Sequence, residues 1–323
     1  MTIIKNKDKT NLKIFNLNLQ LLEEELWWEL SLKHPQFAKD DDFLINPRRL
    51  RGSDFFMRWS QGRWAEEVVV EAINRSRDLV ALPYGPSVIA PDDPAELETF
   101  FDRIDEIAKE GKRPDLLIYD KQTFTQISVE INGTLGSVEK VAETPSSKLR
   151  NIITKAKIAL EVENSLWVTR KMPGYGKEPM KYKKGKRTGS LKFPGPVPTA
   201  IIKMEDISRL IEWEKKFKIP IYVVHIFFDY GYCIRFTEAL NFLKEKLILP
   251  ETQKYTNPDG TAATPKEILK VPYVLCQELG EVETPDLKPK AFIDKNGKVM
   301  TYVTFEGGKL NIKEKILNEW QNL

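Results

Sequence analysis

The sequence has 323 residues, and its 41% hydrophobic and 30% charged content is typical of a globular chain with a substantial core. Its 50 lysines and arginines nearly balance 47 aspartates and glutamates, so the formal net charge is only +3. This balance excludes a protein coated in positive charge but leaves room for a local basic cleft. With two histidines and two distant cysteines, a histidine metal cluster and a zinc site are also excluded.

The cysteine contexts and the N-terminus indicate the compartment. Cys233 and Cys276 lie in apolar segments, and we expect both to be buried free thiols. The N-terminus lacks the order of a signal peptide, and no apolar run approaches the ~18 residues of a membrane span. We therefore expect a cytoplasmic protein with no membrane partner.

Periodicity predicts helices and strands in the first half of the chain. Apolar residues at helical spacing predict helices over 13–32 and about 60–76, and an acidic amphipathic helix over about 94–110. The run RPDLLIYD (113–120) is typical of a strand, and FTQISVEI (124–131) alternates like a second strand. The residues between these two runs are expected to form a tight turn.

The second half continues the alternation of strands and helices. A helix over 146–158 leads into the strand-like ALEVENSLWV (159–168), and a Lys-, Gly- and Pro-rich stretch over 171–198 predicts a long loop. Residues 200–217 predict a strand and then a helix. The next apolar run, 219–236, predicts one long or two short buried strands with His225 in the core, where its nitrogens are expected to be hydrogen-bonded.

This alternation favours an α/β layered sheet. We expect a helical segment over 1–54 packed on a core over 55–245, followed by a mixed C-terminal extension over 246–323.

Acidic residues on otherwise apolar strands are the main chemical signal. Asp115 begins the run LLIY, Glu130 lies inside SVEI, and Glu161 and Glu163 lie inside ALEVENS. Carboxylates are rarely buried unless they are paired or hold a metal. Glu161 and Glu163 are two residues apart on a strand and therefore share a face, where a cation relieves their repulsion. Mg²⁺, which prefers oxygen ligands, fits such a site.

These residues resemble the PD-(D/E)XK nuclease superfamily, which includes most type II restriction endonucleases. Pro114 and Asp115 match the first half of its motif. The second half has two candidates, Glu130 with Asn132 or Glu161 with Glu163. We favour Glu161 and Glu163, because a helix runs directly into that strand; Glu130 would then lie beside the metal ligands or bind the metal itself.

The usual lysine of the motif is absent from both candidates, since Asn132 or Glu163 stands in its place. The resemblance implies that Glu163 positions the attacking water or binds a metal. Alternatively, Lys203 enters the site from the strand AIIKMED. The helix before the PD strand often carries a glutamate that faces the metal, and Glu66 or Glu67 would fill that role, with Glu67 our choice.

The resemblance covers about residues 55–240 and implies a restriction-endonuclease-like mixed central sheet flanked by helices. It implies a Mg²⁺-dependent type II restriction endonuclease that acts on double-stranded DNA as a homodimer. A repair or junction-resolving nuclease of the same superfamily, and a non-catalytic DNA-binding protein of that fold, are the alternatives. The residues expected to contact DNA are basic and lie on the second helix or in the long loop: Arg58, Arg63, Lys183, Lys184, Lys186 and Arg187.

Overall fold

The structure, a computed structural model, describes residues 53–85, 111–179, 191–253, 265–293 and 299–323. The predicted helices over 13–32 and 94–110 and the basic positions Lys183, Lys184, Lys186 and Arg187 lie outside these ranges. Within the described residues the protein is a mixed α/β structure, which confirms the predicted class.

A seven-stranded sheet forms the centre of the described structure, in the order β1-β2-β3-β5-β6-β9-β12. β3 and β5 pair in parallel, and every other neighbouring pair is antiparallel. Its strands are β1 (Leu79–Pro83), β2 (Leu116–Asp120), β3 (Ile158–Asn164), β5 (Ile221–Ile226), β6 (Tyr230–Arg235), β9 (Gln277–Glu283) and β12 (Lys309–Ile312).

Two smaller sheets accompany the central one. The first has the order β4-β8-β7, and the second is the antiparallel pair β10-β11. Their strands are β4 (Thr199–Lys203), β7 (Pro250–Gln253), β8 (Lys266–Pro272), β10 (Asp286–Ile293) and β11 (Val299–Glu306). The helices are α1 (Ser53–Asn74), α2 (Lys121–Leu135), α3 (Arg150–Ile153), α4 (Met204–Phe217), α5 (Phe236–Lys244) and α6 (Glu314–Gln321).

The central sheet is buried on both faces, because successive strand residues point to opposite sides. On one face Leu116, Ile118 and Leu160 pack in a cluster with Trp64 of α1 and Trp320 of α6. On the other, residues such as Leu117, Tyr119 and Ala159 pack with helices α2, α4 and α5 and the β4-β8-β7 sheet. Two apolar layers therefore fix the sheet between helices.

The predicted strand over 124–131 is wrong, because these residues lie within helix α2. Asp120 caps the helix: its carboxylate accepts hydrogen bonds from the Thr123 N–H and hydroxyl, each at 2.8 Å. The buried residues Ile127 and Ile131 are four apart, which is a helical rather than a strand spacing. The expected tight turn is therefore the first turn of a helix.

The C-terminal part of the chain extends the central sheet. β9 pairs with β6, β12 pairs with β9, and Ile316 and Trp320 of α6 are fully buried in the core. The predicted boundary between 245 and 246 is therefore crossed by one continuous sheet. Of the one long or two short strands expected over 219–236, the structure has two, β5 and β6. Cys233 and Cys276 are free thiols, the first buried and the second half-buried.

Candidate active site

Asp115 is held where β1, β2 and β3 meet. Its backbone N–H donates to the Leu160 carbonyl at 2.9 Å, and its carbonyl accepts from the N–H groups of Tyr84 and Gly85 at 2.8 Å each. The Val162 N–H donates to its Oδ2 at 2.7 Å. Asp115 is only 6% exposed, so its carboxylate is fixed by backbone contacts in the interior.

Glu161 and Glu163 project from the same face of β3, as the sequence predicts. The bond between Asp115 and Leu160 sets Asp115 beside Glu161 on the neighbouring strand. Glu161 is 5% exposed, whereas the Glu163 side chain is 22% exposed. The three carboxylates therefore run from the interior towards the end of the strand.

Two lysines from different elements reach these carboxylates. Lys203, the last residue of β4, places its Nζ 2.9 Å from Glu163 Oε1. Lys112, which lies three residues before Asp115, places its Nζ 2.6 Å from Glu161 Oε1. We call Asp115, Glu161, Glu163, Lys112 and Lys203 the carboxylate cluster. Lys203 was predicted from the sequence, whereas Lys112 was not, since its position next to the PD pair was its only signal.

Burial and mutual repulsion dominate the electrostatics of the cluster. Burial and then the nearby Asp115 raise the pKa of Glu161 to about 8. Burial also raises the pKa of Asp115, against the lowering effects of Lys112 and the Val162 N–H. For both lysines burial lowers the pKa, but the adjacent glutamates outweigh it and the net shift is upward. The lysines therefore stay charged and offset part of the carboxylate repulsion.

The donor chemistry of the cluster fits a divalent cation. Within the described residues, Glu161 Oε2 is buried and has no hydrogen-bond partner. No group of three acidic, histidine or cysteine side chains in the described ranges converges into a ready-made metal site. In this structure Lys112 and Lys203 each pair with one oxygen of a glutamate. A buried carboxylate oxygen without a partner, beside two other carboxylates, suits an ion such as Mg²⁺, which prefers oxygen ligands.

Glu130 and Asn132 do not join the cluster. Both lie on α2, and Glu130 accepts from Asn151 Nδ2 at 3.0 Å and pairs with Lys155 Nζ at 3.1 Å. The reading of SVEIN as a motif strand is therefore wrong, and the prediction that Glu130 lies with the metal ligands fails for the same reason.

The choice of Glu67 over Glu66 is also not supported by the geometry. The Glu67 side chain is 50% exposed and pairs with Arg63 at 2.7 Å, one turn earlier on α1. Glu66 is 7% exposed and lies one turn after Gly62, where an added Cβ would stand 3.8 Å from Asn164 Nδ2 at the end of β3. Glu66 is thus the glutamate on the side of α1 that faces β3.

Arg58 and Arg63 lie in the first half of α1, and both side chains reach solvent. Arg58 is exposed, and the Arg63 guanidinium stands 5.7 Å from the ring centre of the half-buried Trp59. Contact of these arginines with DNA stays a prediction.

His225 is a core residue, as predicted, but its nitrogens are not satisfied by the described residues. It is fully buried on β5, opposite Glu163 in the β3–β5 register, and its ring lies 4.6 Å from Phe227. Neither ring nitrogen has a hydrogen-bond partner within the described ranges. Burial lowers the pKa of His225 to about 3, so the ring is neutral near pH 7.

Carboxylates beside lysines are compatible with metal-dependent cleavage of a phosphodiester bond. Residues 34–186 match the family model of the AccI restriction endonucleases, a range that spans slightly under half of the chain and includes Asp115, Glu161, Glu163 and Lys112. The match supports a type II restriction endonuclease, a kind of site-specific deoxyribonuclease. No curated protein and no solved structure matched the chain. Among the residues that the structure describes, no helix combines the length and apolarity that crossing a bilayer requires.

Proposed function

We propose that the carboxylate cluster is the active site of a Mg²⁺-dependent enzyme of the PD-(D/E)XK kind, which cleaves double-stranded DNA at a short specific sequence. One observation carries the proposal: Asp115, Glu161 and Glu163 stand together on adjacent strands, with a lysine ammonium against each glutamate. A restriction-endonuclease-like fold is part of the proposal, and the order of α1, β2, β3 and the parallel β5 supports it.

Asp115 and Glu161 are the proposed metal ligands, with Glu163 completing the set from the more open end of β3. When bound, the ion supplies positive charge at the scissile phosphate and lowers the pKa of a water. The Val162 N–H holds Asp115 Oδ2 in one orientation, so the carboxylate needs no reorganisation to bind. Glu66 replaces Glu67 as the helical glutamate to test, although α1 packs on the face of β3 that carries Leu160 and Val162, opposite Glu161 and Glu163.

Lys203 and Lys112 have separate proposed roles, which together replace the lysine that the PD-(D/E)XK motif lacks here. Lys203 is held by Glu163 at the more exposed end, where it can orient the attacking water and stabilise developing charge on the phosphate. Lys112 is deeper, and we propose that it is a positioning residue that keeps Glu161 in place until the metal binds.

Plasmid cleavage tests this function. Wild-type protein with Mg²⁺ should give bands of constant size, and chelator should abolish them. Asp115→Asn should lower the rate by at least about 1,000-fold, because a lost ligand removes several kcal/mol of charge stabilisation. Asp78→Asn, which changes an exposed aspartate before β1, is the matched control and should cut normally.

The same assay separates the alternatives. Preference for branched or damaged DNA over plasmid would indicate a repair or junction-resolving nuclease. An uncut plasmid with every metal, but retained DNA binding, would indicate a non-catalytic protein of the same fold.

The mass of the complex on a palindromic duplex tests the proposed homodimer, since a dimer with two-fold symmetry matches a DNA site with two-fold symmetry.

A further inference from the structure

A groove of about 780 Å³ opens at the carboxyl ends of β3 and β5, where Ser165 and Phe227 line it. Within the described residues, Trp167 and Leu249 are large apolar side chains that are 43% and 47% exposed, and both line it. We call it the Trp167 groove. Its other apolar walls include Met172, Phe193, Val197 and Phe227.

The elements that carry the cluster also form the groove. Ser165 follows Glu163 by two residues, and Ile201 precedes Lys203 by two on the same face of β4. Two residues of extended chain cover about 7 Å. At a rise of about 3.4 Å per nucleotide along one strand, the groove therefore begins about two nucleotide steps from Glu163 and about four from Glu161.

Backbone contacts fix the walls of the groove. The Ser165 N–H donates to the Ile226 carbonyl at 2.9 Å, and the Trp167 carbonyl accepts from the Phe228 N–H at 3.1 Å. On the facing side, the Leu191 N–H donates to the Leu247 carbonyl at 2.8 Å. Trp167 is thus exposed on a segment that two backbone hydrogen bonds join to residues 226–228, which limits the cost of ordering an aromatic face there.

The chemistry of the groove suits a nucleobase. Apolar and aromatic walls match the faces of a base, while Lys192, Glu251 and Lys270 at the edge offer charged groups to its polar rim. Lys270 and Glu251 pair at 2.6 Å, so this edge presents a donor and an acceptor side by side. In the sequence, the basic run 181–187 ends four residues before Leu191. Because lysines and arginines bind phosphate groups, this run favours a polyanion as the occupant.

We propose that the Trp167 groove binds one unpaired nucleotide of the substrate strand, with its base stacked on Trp167, a few nucleotides from the phosphate that is cut. The location relative to the cut rests on the proposed function, whereas the stacking does not. A base placed here has left the duplex stack, so the groove would select sites where unstacking is easiest.

Photocrosslinking tests the contact directly. The probe is a single-stranded oligonucleotide with one 5-iodouracil, bound to the full chain in Ca²⁺ and irradiated, and the crosslinked peptide is identified by mass spectrometry. We expect the crosslink at Trp167 or Phe193. Crosslinks only outside the groove, or none at any position of the iodouracil, would overturn the proposal.

Affinity measurements give a second readout. Trp167→Ala should weaken binding of the same oligonucleotide by about 5- to 150-fold, since stacking on one aromatic ring has an effect of that size. Trp167→Phe should restore most of it. The control is Val129→Ala, an exposed apolar residue of α2 outside the groove, and it should bind normally. Equal affinity for all four proteins would contradict the stacking.

The two proposals fail separately. A wild-type protein that crosslinks at Trp167 but never cuts a plasmid would remove the nuclease function and leave the groove. A protein that cuts plasmids but crosslinks only elsewhere would remove the groove and leave the nuclease. If a segment of the protein itself fills the groove, no crosslink forms there. That result would also overturn the proposal that the groove binds a nucleotide.

Discussion

Within the carboxylate cluster, each glutamate is matched by one lysine, and the two matches differ in depth. Lys112 meets the buried Glu161, and Lys203 meets the more exposed Glu163. Removing one partner of a buried ion pair lowers the stability of the protein more than removing one partner of an exposed pair, because water cannot solvate the buried charge that remains. The deeper lysine should therefore matter for structure as well as rate, and the outer lysine mainly for rate.

Substituting each lysine tests this difference. Lys203→Met should slow cleavage by about 100- to 1,000-fold, as expected for loss of one charge-stabilising donor, with little change in the unfolding midpoint. Lys112→Met should lower both the rate and the unfolding midpoint, and added Mg²⁺ should restore the midpoint. Lys266→Met, at an exposed pair with Glu205, is the control and should alter neither. A stable, fully active Lys112→Met protein would remove Lys112 from the site.

The buried His225 predicts a loss of stability in acid. Its folded pKa of about 3 lies below its ordinary value of 6.5, so unfolding takes up a proton between these values. The stability it contributes is present above pH 6.5 and is lost as the pH falls towards 3, by about 1.4 kcal/mol per pH unit. Urea unfolding of wild type and His225→Leu from pH 7 to pH 4 measures this; stability curves that run parallel would contradict it.

At the scale of elements, the site depends on how closely β1 approaches β2. Gly85 follows β1, and a Cβ built there would lie 2.8 Å from both Asp115 Cα and Asp115 Oδ1. Real atoms do not approach this closely, so only glycine allows the end of β1 to lie against the first metal ligand. The absence of a side chain at Gly85 thus positions Asp115.

Gly85→Ala should disturb the site without touching its chemistry. We expect a loss of about 1–3 kcal/mol in the free energy of unfolding from overpacking, together with slower cleavage as Asp115 is displaced. Gly133→Ala is the matched control, because its added Cβ on α2 meets nothing within 4 Å. That change should stabilise the protein by about 0.5–1 kcal/mol and leave cleavage unchanged. Identical behaviour of the two variants would contradict the close approach.

Local patterns predicted the parts of the site that depend on one strand. The shared face of Glu161 and Glu163 follows from the period of a strand, and the strand ending at Lys203 was visible from its apolar residues. The contact of Lys112 with Glu161 could not be predicted, since it depends on how the segment before β2 turns. The prediction for 124–131 was wrong because its short apolar run fits the spacing of a strand as well as that of a helix. The structure has a helix there, with Asp120 as its N-cap.

At the scale of the whole molecule, the C-terminal residues complete the sheet rather than forming an appendage. β9 covers the edge of β6, and Trp320 of α6 packs in the same core cluster as Trp64 of α1. Leu160 and Val162 of β3 are buried in that cluster too. The stability of the strand that holds Glu161 and Glu163 is therefore coupled to the end of the chain.

Removal of residues 246–323 tests this coupling. The truncated protein would expose the edge of β6 and lose the fully buried Trp320 and Ile316, so we expect it to lose its cooperative unfolding transition. Circular dichroism with heating measures the outcome. A truncated chain that unfolds cooperatively near the wild-type temperature would show an independent domain over 55–245.

Asp115, Glu161 and Glu163 are the residues proposed to hold the metal. Backbone cleavage by bound iron(II), with ascorbate and peroxide, tests this assignment, because the radicals cut the chain next to the ion. We expect cuts near residues 115 and 161–163, suppressed by excess Mg²⁺ and lost in Asp115→Asn. Cuts confined to other segments, or cuts at these positions that persist in Asp115→Asn, would contradict it.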